Sequence, residues 1–142
     1  MRRATPRPMR WFKRKPLPPR PTKPVDYPTG LAVETGGEVW YIKGQTKYKV
    51  YNDRVLHSWR FSVIARGSEV SLSNLTNGGL LGFRDGSLLK NISDGKIYLV
   101  SGNRRRHVRT PDAFALFGLD ESTAIKVSEK EILLHSEGEP IE

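Results

Sequence analysis

"GKIYLVSGNRRRHV", residues 95–108, sets a short apolar run against a basic run on either side of a Gly-Asn pair. Gly102-Asn103 can take the positive φ that a two-residue primed hairpin turn demands, so residues 96–101 and 104–109 read as two short strands. The stretch has a near-copy upstream. Residues 37–50, "GEVWYIKGQTKYKV", fall on it at a constant offset of 58: Gly37 on Gly95, Val39 on Ile97, Trp40 on Tyr98, Ile42 on Val100, Gly44 on Gly102, Lys47 on Arg105 and Val50 on Val108. Few of these pairs are identical, yet turn, apolar and aromatic positions keep their order, as in an internal repeat.

The correspondence runs past the hairpin. Leu56 meets Phe114, Trp59 meets Phe117, and Val70-Ser71 matches Val127-Ser128 with one residue lost. In "TPDAFALFG", Thr110 suits an N-cap, Pro111 the first helical position and Gly118 the end of the helix. Phe114 and Phe117, three apart, are expected on one face, packed onto the hairpin. The first copy offers Asn52 as cap, with Leu56 and Trp59 as the buried pair. "SEKEILLHSEG" places Ser128 and Glu131 in capping-box spacing, with Ile132, Leu133 and Leu134 as apolar content; "SLSNLTNGG" answers more weakly, as a turn ending in glycine. The expected fold is α+β, mostly β. Residues 30–85 form one hairpin-plus-helix unit, and residues 86–142 a second with two short helices. A unit of about 55 residues buries only ~60% of its unfolded surface and is marginal alone, so the two are expected to share a core.

Ahead of them lies a different kind of chain. The formal net charge is +9, and all of it is traced to residues 1–24, which hold nine basic groups and no acidic one. Eight of the ten prolines also fall before residue 29. They remove amide donors and fix φ, so residues 1–29 are read as an extended arm, neither helix nor inner strand. Its one apolar knot is Trp11-Phe12. Two readings compete: a solvated tail, or an arm that orders along a partner through Arg2, Arg3, Arg7, Arg10, Trp11, Phe12, Lys13, Arg14, Lys15 and Arg20. "PLPPR" also resembles ligands of proline-recognition domains. Pro16, Pro18 and Pro19 break any membrane-binding helical face.

The second basic cluster is Arg104, Arg105, Arg106, His107 and Arg109. On a strand, Arg104, Arg106 and Val108 share one face, and Arg105, His107 and Arg109 the other. It reads either as an edge strand protected by charge or as an anion contact to a neighbouring subunit or nucleic acid. No catalytic constellation is found: there is no phosphate loop or nucleophile elbow. His57, His107 and His135 have no metal-site spacing and are read as surface or half-buried. The chain has no cysteine, which fits a reducing compartment. No stretch reaches the roughly 20 apolar residues of a membrane span, and no secretory signal is read at the N-terminus. Neither enzyme activity, metal nor cofactor is expected.

Residues 86–141 resemble a short tandem repeat of bacterial surface proteins and phage virion components. Its strand, turn and Arg-Arg pattern corresponds to Ile97-Tyr98-Leu99-Val100, Gly102, Arg105-Arg106 and Val108, followed by Phe114, Phe117-Gly118, Val127-Ser128 and Gly138. The first copy departs from it, with Lys47-Tyr48 for Arg-Arg and Arg60 in place of glycine. The resemblance implies a non-enzymatic structural protein of a tailed bacteriophage, assembled in the host cytoplasm into a large multi-subunit particle, in capsid, head–tail junction or tail. Its partners would be other virion proteins, which the arm laces together, or nucleic acid through the arm. The alternative function is a DNA-, RNA- or ribosome-binding protein.

Overall fold

In the computed structural model, which describes residues 16–142, the hairpin of residues 95–108 forms as its turn chemistry dictates. Gly102 and Asn103 sit at φ +60 and +62, joining β7 (Ile97–Ser101) to β8 (Arg104–His107). Upstream, β2 (Glu38–Lys43) and β3 (Thr46–Val50) are joined by Gly44, at φ +61. The registers coincide. Trp40↔Lys49, Tyr41↔Tyr48, Ile42↔Lys47 and Lys43↔Thr46 correspond, at the same offset, to Tyr98↔His107, Leu99↔Arg106, Val100↔Arg105 and Ser101↔Arg104.

Each hairpin is the centre of a five-stranded mixed sheet. In the first, β1 (Ala32–Thr35) pairs antiparallel with β2 and parallel with β4 (Ile64–Arg66), while β5 (Thr76–Leu81) pairs parallel with β3. The order is β4-β1-β2-β3-β5. In the second, β6 (Leu88–Asn91) takes the place of β1, β9 (Ile125–Val127) that of β4 and β10 (Ser136–Glu137) that of β5. The order β9-β6-β7-β8-β10 and the strand directions match those of the first sheet. The chain is thus mixed α and β, with strands predominating.

Where the sequence reading expects a glycine-terminated turn at residues 71–79, the protein places a 3-10 turn at Val70–Leu72 and then β5. Gly78 is required there by close packing: a β-carbon would lie 2.5 Å from Tyr48 Cε1 and 2.6 Å from Thr46 Cγ2. The pairing of Val70-Ser71 with Val127-Ser128 is also corrected. β1 and β6 align Ala65 with Ile125, which sets Gly67-Ser68 opposite Val127-Ser128.

The helices are short and capped. α1 (Asp53–Trp59) begins at Asn52, whose Oδ1 accepts from Val55 N at 3.0 Å. α2 (Pro111–Phe117) begins at Thr110, whose Oγ1 accepts from Ala113 N at 3.1 Å, and ends at Gly118 with φ +65. α3 (Glu129–Ile132) has the full Ser128–Glu131 capping box. The buried helix positions differ from those expected. Val55 and Ala113 are enclosed, whereas Leu56, Trp59 and Phe114 are half-buried and Phe117 is exposed. Ile132 is buried, but Leu133 lies outside.

Three apolar clusters hold the molecule. One is private to the first sheet, around Val33, Ile42 and Leu72. Another is private to the second, around Ile97, Val108 and Ile141. The largest joins Val50, Val55, Leu81 and Phe83 to Leu89, Val100, Val127 and Ile132. It draws on both sheets, so neither can be stripped of the other without exposing core.

Candidate functional site

The basic strand does not lie at a sheet edge. β8 has β7 on one side and β10 on the other, and its cations are turned to its own C-terminal segment. Arg104 Nη1 reaches Glu137 O at 3.4 Å, Arg106 Nε donates to Glu139 O at 2.8 Å, and Arg105 Nη1 donates to His135 O. Arg109 pairs with Glu142 at 3.4 Å, and His107 packs against Tyr98 with ring centroids 5.3 Å apart. Burial first, then the charges of Lys96 and Arg109, hold His107 below the usual histidine range. These guanidinium groups bind the carbonyls of His135, Glu137 and Glu139, adding to the short ladder between β8 and β10.

The arm divides. Arg2, Arg3, Arg7, Arg10, Trp11, Phe12, Lys13, Arg14 and Lys15 lie outside the described residues. Residues 16–29 form no helix or strand, but they are bound by their own chain. Arg66 Nη1 donates to Pro18 O at 2.8 Å, Ser68 Oγ to Pro21 O at 2.5 Å, and Val25 N to Ser71 O at 3.1 Å. Arg20, grouped above with the partner-binding cations, pairs with Glu34 at 2.9 Å and donates to Gly67 O at 2.8 Å. That guanidinium and the Gly37 amide hold the Glu34 carboxyl below its ordinary range. The expectation that the whole arm gains its shape from a neighbour is corrected for residues 18–29.

Two buried polar groups fasten the halves of the molecule together. Glu131, 1% exposed, closes the α3 capping box and also receives Asn52 Nδ2 at 3.0 Å and Arg54 Nε at 2.9 Å from the other half. Burial alone would raise its pKa. The donors from Arg54, Ser128 and Asn52 outweigh that and bring it down to about 2. His135, expected at or near the surface, is fully buried. Its Nε2 accepts from Phe83 N at 2.9 Å, which places the proton on Nδ1, 3.0 Å from Asn103 O. Burial lowers its pKa, so the ring is held neutral.

Beside this seam is a cleft of about 740 Å³ lined by Arg54, His57, Arg60 and Arg84 together with Asp85 and Asp120. Among the described residues Arg60 and Arg84 make no ion pair. Both also line an adjoining hollow against Tyr41, Trp59 and Phe61. Trp59 and Phe61 stack at 5.8 Å with 9° between their planes, and Tyr41 lies 4.9 Å from Trp59. The sequence reading missed this group. Its cations come from α1 (Arg54 and His57), from its C-cap (Arg60) and from the β5–β6 connection (Arg84), and only the fold gathers them.

Each half also carries a groove between its hairpin and its capped helix. The first, about 290 Å³, has the Glu38–Lys49 ion pair, 2.7 Å long, in its lining. The second is about 650 Å³, floored by Ile97, Val108, Phe114 and Leu119. Among the described residues no helix is long and apolar enough to cross a membrane, and no group of three potential ligands gathers as a metal site would need. No known family model matches the chain, and no curated protein matches it either.

Proposed function

We propose that this chain is a non-enzymatic structural protein of a tailed-phage virion, built from two copies of one unit, 30–85 and 86–142. It docks through its body and reaches neighbouring virion proteins with residues 1–15. The observation that carries this reading is the division of charge. Arg20 of the arm and Arg104, Arg105, Arg106 and Arg109 of the body are bound to carbonyls and carboxylates of their own chain, and residues 25–142 are formally balanced. Seven basic groups and Trp11-Phe12 stand ahead of Pro18, the first anchored residue. A segregated cationic segment with an aromatic pair has the composition of a protein-interface anchor. Mass spectrometry of purified particles tests the proposal: the chain is expected in stoichiometric amount, and its absence would rule the reading out.

The second reading, binding to nucleic acid, is favoured by the Arg54–His57–Arg60–Arg84 cleft and its aromatic neighbours, a combination suited to phosphates and stacked bases. It requires affinity that falls steeply with salt and drops further on Arg60→Ala/Arg84→Ala substitution, measured by fluorescence anisotropy with a single-stranded oligonucleotide. Affinity unchanged by salt argues against it.

A further inference from the structure

The two grooves are built from the same positions. All nine residues that line the first fall, at offset 58, on residues that line the second: Glu38 on Lys96, Lys49 on His107, Asn52 on Thr110, Leu56 on Phe114, and so on through the set. The second has four more, Asp94, Leu119, Asp120 and Glu121. Their origin is specific. The β6–β7 connection runs through residues 92–95 with Gly95 aligned to Gly37, two residues longer than its counterpart at Gly36-Gly37. The connection from α2 to β9 is longer than that from α1 to β4 by the same amount, 118–123 against 60–63. Asp94 lies in one insertion. Leu119, Asp120 and Glu121 lie in the other lengthened connection. The second copy thus departs from the first by lengthening both connections that frame the groove, and every added lining residue comes from them.

Those additions change the chemistry. In the first groove Lys49 of β3 neutralises Glu38 of the neighbouring β2. In the second the same two positions are Lys96 and His107, so that ion pair is lost. The added residues bring three exposed carboxylates and one apolar side chain, Leu119. Asp94 and Asp120 each commit one oxygen to a neighbouring backbone amide, which leaves the other oxygen for a ligand. Two cations, Lys96 and Arg109, line this rim against the three carboxylates, and Arg109 is paired with Glu142. The result is an apolar trough with an acidic lip, suited to an aromatic side chain flanked by cations.

We infer that the groove between the β6–β7 turn and α2 receives Trp11-Phe12 of a second copy of this chain, with the carboxylates of Asp94, Asp120 and Glu121 engaging Arg10 and Lys13–Lys15. The inference deepens the lacing role proposed above and rests on it. A partner copy is the occupant because the anchored chain begins at Pro18, on Arg66 of β4, the outermost strand of the first sheet. Pro16, Pro18 and Pro19 stiffen the exit from that edge, which opposes a short return to the second half.

The full-length chain with p-benzoylphenylalanine at position 12 tests this. A mixture of nitrogen-14 and nitrogen-15 chains is irradiated, digested and analysed by mass spectrometry. Cross-links joining light to heavy chains and ending within residues 94–97 or 107–121 are expected. Asp94→Lys/Glu121→Lys, both on exposed connections, is expected to weaken self-association in sedimentation velocity at least tenfold while leaving the circular dichroism unchanged. Cross-links confined to one isotope, cross-links ending in the first groove, or unaltered self-association of the charge-reversed variant would each overturn the inference. Particles that contain the chain without these cross-links would spare the virion reading and remove this one. Cross-links from a chain absent from particles would do the reverse.

Discussion

Glu131 shows how a single side chain can serve two elements. As the last member of a capping box it stabilises only one turn of helix, yet its oxygens also receive Asn52 and Arg54 from the opposite half. A carboxylate so enclosed is tolerable only with several donors. Glu131→Ala leaves those donors without an acceptor and is expected to destabilise the protein by about 2–4 kcal/mol, read from urea midpoints. The pH dependence has a definite sign. Glu131 has a folded pKa of about 2 against an ordinary 4.5, so its contribution is complete above pH 4.5 and is lost as pH falls towards 2. The variant's stability is therefore expected to vary less with pH in that window. Gly82 makes the same seam sensitive to volume. A β-carbon there would lie 2.6 Å from the His135 ring, and the ring is held at both nitrogens. Gly82→Ala is expected to cost about 1–3 kcal/mol by overpacking, with the same measurement as its check.

At the scale of elements, the C-terminal segment behaves as a strap. Ile141, 4% exposed, bridges Val108 in parallel and packs in the second private cluster, while the arginines of β8 hold the carbonyls just before it. Ile141→Ala is expected to destabilise by about 2–4 kcal/mol, and hydrogen exchange is expected to rise first at Arg109 N, whose acceptor is Ile141 O. Neither the strap nor its strand was legible in the sequence. β10 is two residues long, and β4 and β9 three each, too short for an alternating pattern to register. β5, "TNGGLL", carries the glycines that ordinarily mark a turn. The elements that could be read had local chemistry of their own: Gly102-Asn103 for the hairpin, Asn52 and Thr110 for the caps, Ser128 and Glu131 for the capping box. Phe117 was misplaced for a related reason. A three-residue spacing shows that two side chains share a helix face, but a seven-residue helix can bury itself through Ala113 and leave that face half open.

Over the whole molecule, the pairing of two sheets of one order changes what stability means. Two sheets of identical order each have a small private cluster, and the largest cluster belongs to both. The offset of 58 made the likeness of the two hairpins readable, but not which residues would interlock, because contacts between the two halves leave no period in the sequence. Charges such as Arg54, Arg60 and Arg84 were equally unreadable as a group. With Val100 and Ile132 of the second copy packed against Val50 and Phe83 of the first, unfolding of either half exposes apolar surface of the other, so the body is expected to melt as one unit. The placement of tryptophan makes this testable. Trp11, Trp40 and Trp59 all precede the second copy, so indole fluorescence reports on the first half and the arm, whereas far-ultraviolet circular dichroism reports on both halves. Val100→Ala, a buried change confined to the second copy, is expected to lower the urea midpoint seen by both probes equally, by an amount corresponding to about 1–3 kcal/mol. A fluorescence transition that stayed in place while the dichroism shifted would show two independently folding sheets, and the shared cluster would then be mere contact.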